Sequence, residues 1–428
     1  MQLPAAYPQR QELNDEVHAR PAEAMTPPLR LSYLVSLTEG TERDAYGEAV
    51  AALVSRRGLA PPSPQANHFS ADLGPFRLKW ERHTEFCRCT FITPGAGEDP
   101  FAQPAISAVP PGWVAALPGR LLVASHAALL PAGPVPLDLD GASARLFGGS
   151  VLVGSAIAGG LAVALTDFRI HADGFSRFLV QDQGMSPRQA GRSLQRLLEI
   201  DTYRMMALLA LPVARRLAPE LTRLETELAA IAGALDAARQ ADEPVLLERL
   251  TRLAAESERH DAVSRYRFSA AEAYWELVQR RVAELREQRI EGVQTLQEFT
   301  DRRVAPAMQT CRAVAARQQA LAQRMARTTQ LLSTRVDITL EQQNHATLAT
   351  MNRRAQLQLR LQETVEGLSV AAISYYLVGL VAYLAKGLKA AGVKLDADLL
   401  SGLSLPLIAA GVALGVRQMH HRVRRDLG

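Results

Sequence analysis

The chain has 428 residues, with 48 Lys+Arg against 44 Asp+Glu for a net charge of +4. That balance, with 5% aromatic residues and no stacking rings interleaved among the basic ones, argues against a nucleic-acid binder. A hydrophobic content of 48% excludes wholesale disorder, and the length allows two or three structural units.

The N-terminal decapeptide MQLPAAYPQR lacks the basic-then-apolar pattern of an export signal, so the bulk of the chain is expected in a reducing cytosol. Residues 1–28 read as a docking segment. Within it, LNDEVHARP (13–21) places Asn14 as the cap of one helical turn that Pro21 ends. On that turn Asn14 and Asp15 reach His18, and Glu16 reaches Arg20. An Asp/Glu/His group can ligate a metal or do acid–base work. Its spacing matches no known ligand set, so a salt-bridged docking segment is expected and no metal site.

Residues 29–185 read as a mixed α/β domain. Strands are predicted at 29–37, 76–83, 85–92 and 120–128, a helix at 43–57, and loops at the Pro-rich 61–64 and at 93–119. Cys87, Cys89 and Cys311 make neither a disulfide framework nor a tetrahedral metal set; in a strand, Cys87 and Cys89 simply share a face. Sheet is expected to resume over 143–181. The uncharged run 146–166 is long enough to span a bilayer, but Gly148, Gly149, Gly154, Gly159 and Gly160 each weaken a helix by about 1 kcal/mol. Buried strands joined by tight turns are the reading, with a membrane segment as the alternative. In DFRIHADGFSRFLV (167–180), alternation puts Asp167, Arg169, His171 and Asp173 on one face and Phe168 and Ile170 on the other. Asp173-Gly174 then turns the chain into a return strand that carries Arg177. A solvated face of ion pairs is expected, a polar-ligand site being the alternative.

Residues 186–365 read as a long helical bundle and stalk, opened by the Ser186-Pro187 cap. The first helix carries Asp201, Tyr203 and Arg204 at the polar start of a core-facing stretch, as site candidates. Breaks are predicted at Pro212, Pro219, 242–244 and Pro306. Phe268, Ala271, Trp275, Val278, Val282 and Leu285 follow the 3-4 spacing of a coiled-coil seam. No proline lies between Pro306 and Pro406, which predicts one stalk helix from about Ala307 into the membrane. Its stretch VDITLEQQNHATLATMNRR (336–354) carries Gln, Asn and Thr where Glu and Lys are usual. An exposed face is expected, and a channel lining or oligomer register is the alternative.

Residues 366–428 read as a transmembrane hairpin with a basic tail. GLSVAAISYYLVGLVAYLA (367–385) and LLSGLSLPLIAAGVALGV (399–416) carry no charge, and each can cross a hydrocarbon core of ~30 Å. Gly367, Ser374 and Gly379 permit close helix packing, while Tyr375 and Tyr376 add amphipathic rings. Arg353, Arg354 and Arg360 before the first span, and Arg417, Arg422, Arg424 and Arg425 after the second, outnumber three Lys in the loop. Both termini are therefore expected in the cytoplasm and the site is expected to be a bacterial inner membrane.

The chain contains no GxxxxGK[ST], GxGxxG, HExxH or GxSxG, so no enzyme is expected, and nothing identifies a cofactor. The long matches LNDEVHARP, DFRIHADGFSRFLVQD, IDTYRMMALLALPVAR and EGLSVAAISYYLVGLVAYLAKGLKAAG resemble the bacterial DUF3422 family over nearly the whole chain. That resemblance implies a membrane anchor with an uncharacterised cytosolic part, and no activity. The layout also loosely resembles CorA-type cation channels. Those channels carry Gly-Met-Asn at the end of the first span, where this chain has Tyr383-Leu384-Ala385-Lys386-Gly387. The expected function is thus a membrane-anchored homo-oligomer whose cytosolic domain binds a ligand or partner, with a CorA-like channel lacking that motif as the alternative.

Overall fold

The computed structural model describes residues 4–11, 13–14, 21–133, 138–237, 242–391 and 396–426. The chain divides into two compact units, the first of residues 1–237 with 248–329 and the second of 238–247 with 330–428.

The first unit holds one eight-stranded sheet in the order β2-β3-β4-β1-β5-β8-β7-β6. Its strands are β1 Leu29–Leu37, β2 His68–Asp72, β3 Arg77–Arg82, β4 Phe86–Pro94, β5 Arg120–Leu130, β6 Val153–Ile157, β7 Ala162–Thr166 and β8 Ser176–Asp182. Neighbours pair antiparallel except β5 and β8, which run parallel. The near-continuous apolar run LRLSYLVSL puts β1 in the interior, flanked by β4 and β5. The 146–166 run supplies β6 and β7, and its Gly159 and Gly160 make the turn between them at φ +74° and +89°. The exposed edge of β6 is bridged by Gln288 and Gln294, whose carbonyls accept from Ala156 and Gly154 at 3.0 and 2.8 Å.

Helices cover both faces. α1 (Glu42–Ser55) lays Tyr46, Val50, Leu53 and Val54 on Leu34, Leu78, Trp80, Cys89 and Phe91. Cys87 and Cys89 belong to this apolar layer, where burial pushes the Cys89 thiol up to about 12. The loop expected over 93–119 contains a 3-10 turn (Ala105–Ala108) and a short α2 (Pro111–Ala115). Sheet does not resume at 143: Leu139–Leu146 forms α3, whose N-cap Asp138 accepts from Gly141 N. Strand β2 was not anticipated, because HFSAD is short and only half-buried at the sheet edge.

The opposite face carries α4 (Pro187–Leu208), closed at its start by a capping box between Ser186 and Gln189. After Leu209 the chain continues as α5 (Ala210–Ala237), α6 (Glu243–Leu285), α7 (Leu296–Arg303) and α8 (Ala305–Ala390). The break falls just before Pro212, which sits in the first turn of α5. Pro219 does not end α5, contrary to expectation. A buried stripe from Ala214 through Leu217, Leu221 and Leu224 to Ile231 outweighs the ~3 kcal/mol that an interior proline costs. In α6 the spaced residues Ala271, Trp275, Val278, Val282 and Leu285 are buried. Within the first unit, Arg223–Glu256 ties α5 to α6, Arg317–Glu225 ties α5 to α8, and Arg312–Glu272 ties α6 to α8.

The second unit consists of the start of α6, the remainder of α8 and a final helix, α9 (Ala397–Asp426). Thr339 Oγ1 donates to Glu243 at 3.3 Å, and Leu246 and Leu332 are buried. From residue 340 to 365 every residue of α8 is exposed. Beyond this, Ser374 and Ala385 are covered, whereas Tyr375, Tyr376, Leu380, Tyr383 and Leu384 are bare. α9 repeats the pattern, with Ser401, Ser404, Ile408 and Val412 half-covered and Leu399, Leu403, Leu407 and Leu414 bare. Both helices contain segments long and apolar enough to cross a membrane, with mean hydropathy 1.9 and 2.0.

Candidate functional site: a buried charge layer

Strand alternation gives the face under α4 an unusual composition. Tyr33 of β1, Lys79 and Glu81 of β3, and Arg88 and Thr90 of β4 all point towards α4. From α4 come Gln195, Glu199 and Thr202, and from α6 comes Arg281. Glu81, Arg88 and Glu199 are each only 2–3% exposed.

The guanidinium of Arg88 is the centre. It donates to both oxygens of Glu81 at 2.5 and 2.9 Å, to Glu199 at 3.3 Å and to the Tyr33 hydroxyl at 3.4 Å. Glu199 also accepts from Gln195 at 2.8 Å and from Arg281 at 2.5 Å. Lys79 Nζ closes the outer end, donating to the Pro21 carbonyl at 2.8 Å and lying 3.4 Å from Glu81. Burial opposes ionisation of Glu81, but Arg88 outweighs it and holds the carboxyl at about 2. Burial likewise works against the Arg88 charge, and the surrounding Tyr33, Glu81 and Glu199 oxygens raise its pKa nonetheless. Lys79 is the weak member, since burial lowers its pKa and Glu81 only partly offsets this. The hollow beside these groups is about 20 Å³, room for one water. Chemically, the layer is a closed ion network in which both carboxylates are paired with cations.

A second polar cluster lies farther along α4. Asp201, 1% exposed, accepts from Ser125 of β5 at 2.8 Å, from Ser176 of β8 at 3.1 Å and from Arg204 Nε at 2.8 Å. Arg204 in turn lies 4.8 Å over the Phe168 ring. A hollow of about 150 Å³ opens here, lined by Leu121, Ile170, Gly174, Ser176, Asp201 and Arg204. Two segments far apart in sequence, 167–177 and 201–204, therefore meet. Tyr203 is buried and points elsewhere, stacked on Tyr274 of α6 at 5.9 Å.

The alternating face expected over 167–173 is not formed. β7 ends at Thr166, Asp167 accepts from the Arg169 amide at 3.1 Å, and Phe168 adopts φ +51°. This turn buries Asp167 and Phe168 together. Phe168 stacks on Phe299 of α7 at 4.5 Å, Arg169 is exposed, and Ile170 is 73% exposed rather than core. His171 Nε2 sits 3.1 Å from Asp167 Oδ2. The Asp173-Gly174 turn is present, with Gly174 at φ +85°, and the return strand begins at Ser176. Asp173 pairs with Arg177 at 3.4 Å, and Arg177 also donates to the Leu146 carbonyl at 2.6 Å. Beside this turn His126 stacks on Phe175 at 3.9 Å and shares a 2.9 Å hydrogen bond with Ser32. Burial pushes His126 down to about 4.

Of the N-terminal candidates, Asp15, Glu16, His18 and Arg20 lie outside the described residues, while Leu13 and Asn14 are helical. The following residues are pinned to the body. Glu23 pairs with Arg77 at 3.0 Å, Met25 N donates to the Pro187 carbonyl at 2.9 Å, and Gly191 admits the Glu23 carbonyl. A Cβ at position 191 would lie 1.7 Å from that oxygen. In the first apolar segment Ser374 is buried, Tyr375 and Tyr376 are bare, and Gly367 and Gly379 face open space.

Glu220, Glu256 and His260 place ligand atoms within 4.8 Å of one another, but Arg223 already bonds to both carboxylates. Sequence reasoning missed Lys79, Glu81, Arg88 and Glu199. Their signal was the shared parity of LKWER and CRCT, which places opposite charges side by side on one sheet face.

No curated protein and no solved structure matches the chain. The family model described as "Protein of unknown function (DUF3422)" matches residues 5–423, and the chain belongs to that family.

Proposed function

We propose that this chain is an inner-membrane-anchored homo-oligomer of a bacterium, held by an α8–α9 hairpin with both termini in the cytoplasm. The first unit binds a cytosolic ligand or partner and is not an enzyme. One observation carries the anchor: the apolar surface of the second unit is bare. Tyr375, Tyr376, Tyr383 and Leu407 are each more than 70% exposed, and no residue of the apolar stretch of α9 is buried. Covering each such large side chain is worth about 1.5–3 kcal/mol, so a lipid environment is the natural state of these helices. The seven flanking arginines against three loop lysines supply the orientation. The closed ion network, with room for one water, holds the first unit together and leaves no space for a ligand within it.

Deleting 365–428 should move the protein from washed membranes to the supernatant. Retention in the membrane pellet would overturn the anchor. A CorA-like pore is the second reading, favoured only by the Gln/Asn/Thr-rich band of α8. Light scattering of the detergent-solubilised protein decides it: a monomer or dimer removes the pore, and a ring of about four or more sustains it.

A further inference from the structure

The bare 340–365 segment of α8 is chemically lopsided. Stepping from Leu340 by 4, 3, 4, 3 residues reaches Met351, Leu361, Val365 and Leu368, all 59–75% exposed. Leu348, Leu357 and Leu359 are exposed off this ladder, which also holds Thr347 and, two heptads apart, Asn344 and Gln358. Its one charge is Arg354, whose long stem can carry the guanidinium to the rim. The other charges, among them Glu341, Arg353, Arg360 and Glu363, lie off the ladder. A 3.5-residue ladder that is apolar at five of its nine positions fits another helix lying lengthwise.

We infer that this ladder is the surface where copies of this chain meet, as parallel helices in register. The inference rests on the anchor reading. Copies inserted with one orientation in one bilayer hold their α8 segments parallel and at one height, which raises the effective concentration of each for the other. In register, each ladder residue meets itself. Leucine then packs on leucine, and the amides of Asn344 and Gln358 donate to and accept from their own counterparts. A shift of one heptad instead sets Asn344 against Met351 and Gln358 against Val365. The 26 uncovered residues have no tertiary packing among the described residues, and such packing is the main source of helix stability in proteins.

Single cysteines in the full-length chain in membranes test this. Met351→Cys, Leu361→Cys and Val365→Cys lie on the ladder, whereas Ala349→Cys, Gln356→Cys and Glu363→Cys lie on the opposite face and are likewise exposed. Cys87, Cys89 and Cys311 are buried and give the background. Mild oxidation should yield a species of twice the chain mass at ladder positions, at least about fivefold above the opposite face. Equal yields on both faces, no crosslink on either, or adducts of another mass would overturn the inference. Absence of the unoxidised protein from the alkaline-washed membrane pellet overturns the anchor instead, whichever face crosslinks.

Discussion

The two units invert each other. In the first, charge is inside: Glu81, Arg88 and Glu199 are almost completely covered, and every one finds an opposite charge. In the second, apolar surface is outside, and nothing among the described residues covers it. Both patterns break the ordinary rule of burial, and each break has a physical resolution. Buried charges are tolerable only when paired and hydrogen-bonded. Bare leucines are tolerable only when lipid or another helix replaces water. The first unit carries its resolution within itself, and the second needs something from outside.

The sharpest way to break this contrast is to remove the centre of the network. Arg88→Met leaves Glu81 and Glu199 facing each other without their shared cation and should cost about 3–5 kcal/mol of first-unit stability. All three tryptophans lie in that unit, so denaturant unfolding followed by their fluorescence measures it. A loss under 1 kcal/mol would mean the network is dispensable.

Acid should act nearly as strongly. His126 titrates at about 4 when folded against an ordinary 6.5, so its contribution is complete above 6.5 and is lost as pH falls through that window towards 4. The size is about 3 kcal/mol. Glu81, held at about 2 against 4.5, adds a further loss between those values. His126→Gln should flatten the stability profile between pH 6.5 and 4 and leave the lower limb in place. An unchanged profile would remove His126 from the account.

Gly191→Ala tests the pinned N-terminal segment. The added methyl meets the Glu23 carbonyl, and the strain should cost about 1–3 kcal/mol while speeding proteolysis around residues 21–28. Unaltered cleavage would show that the segment moves aside freely. At the small end, Arg252→Ala breaks an exposed pair with Glu248 and should change stability by no more than about 0.5 kcal/mol.

Much of this architecture is legible in the sequence. β1 runs over the predicted 29–37, the glycine-punctuated 146–166 run forms two strands, and α8 continues unbroken from Pro306 to Ala390. Those features rest on local signals: parity, glycine pairs and the absence of proline. The charge layer was harder to see for a physical reason. Alternation in LKWER and CRCT says which residues share a face, and a polar face ordinarily meets water. Only α4, whose Glu199 lies 111 residues beyond Arg88 and turns inward with Thr202, makes that face an interior. The 167–173 loop was misread for the opposite reason: its alternation is real in sequence, but the Asp167 turn and the seat of Phe168 override it. Pro219 shows the same precedence of packing over local preference.

The central claim is that the bare helices belong in lipid, and an alkaline carbonate wash of membranes carrying the full-length chain tests it most directly. Retention in the pellet, with release only by detergent, is the predicted result. Release into the supernatant at high pH without detergent would contradict it and leave the apolar surface of the second unit for a protein partner to cover.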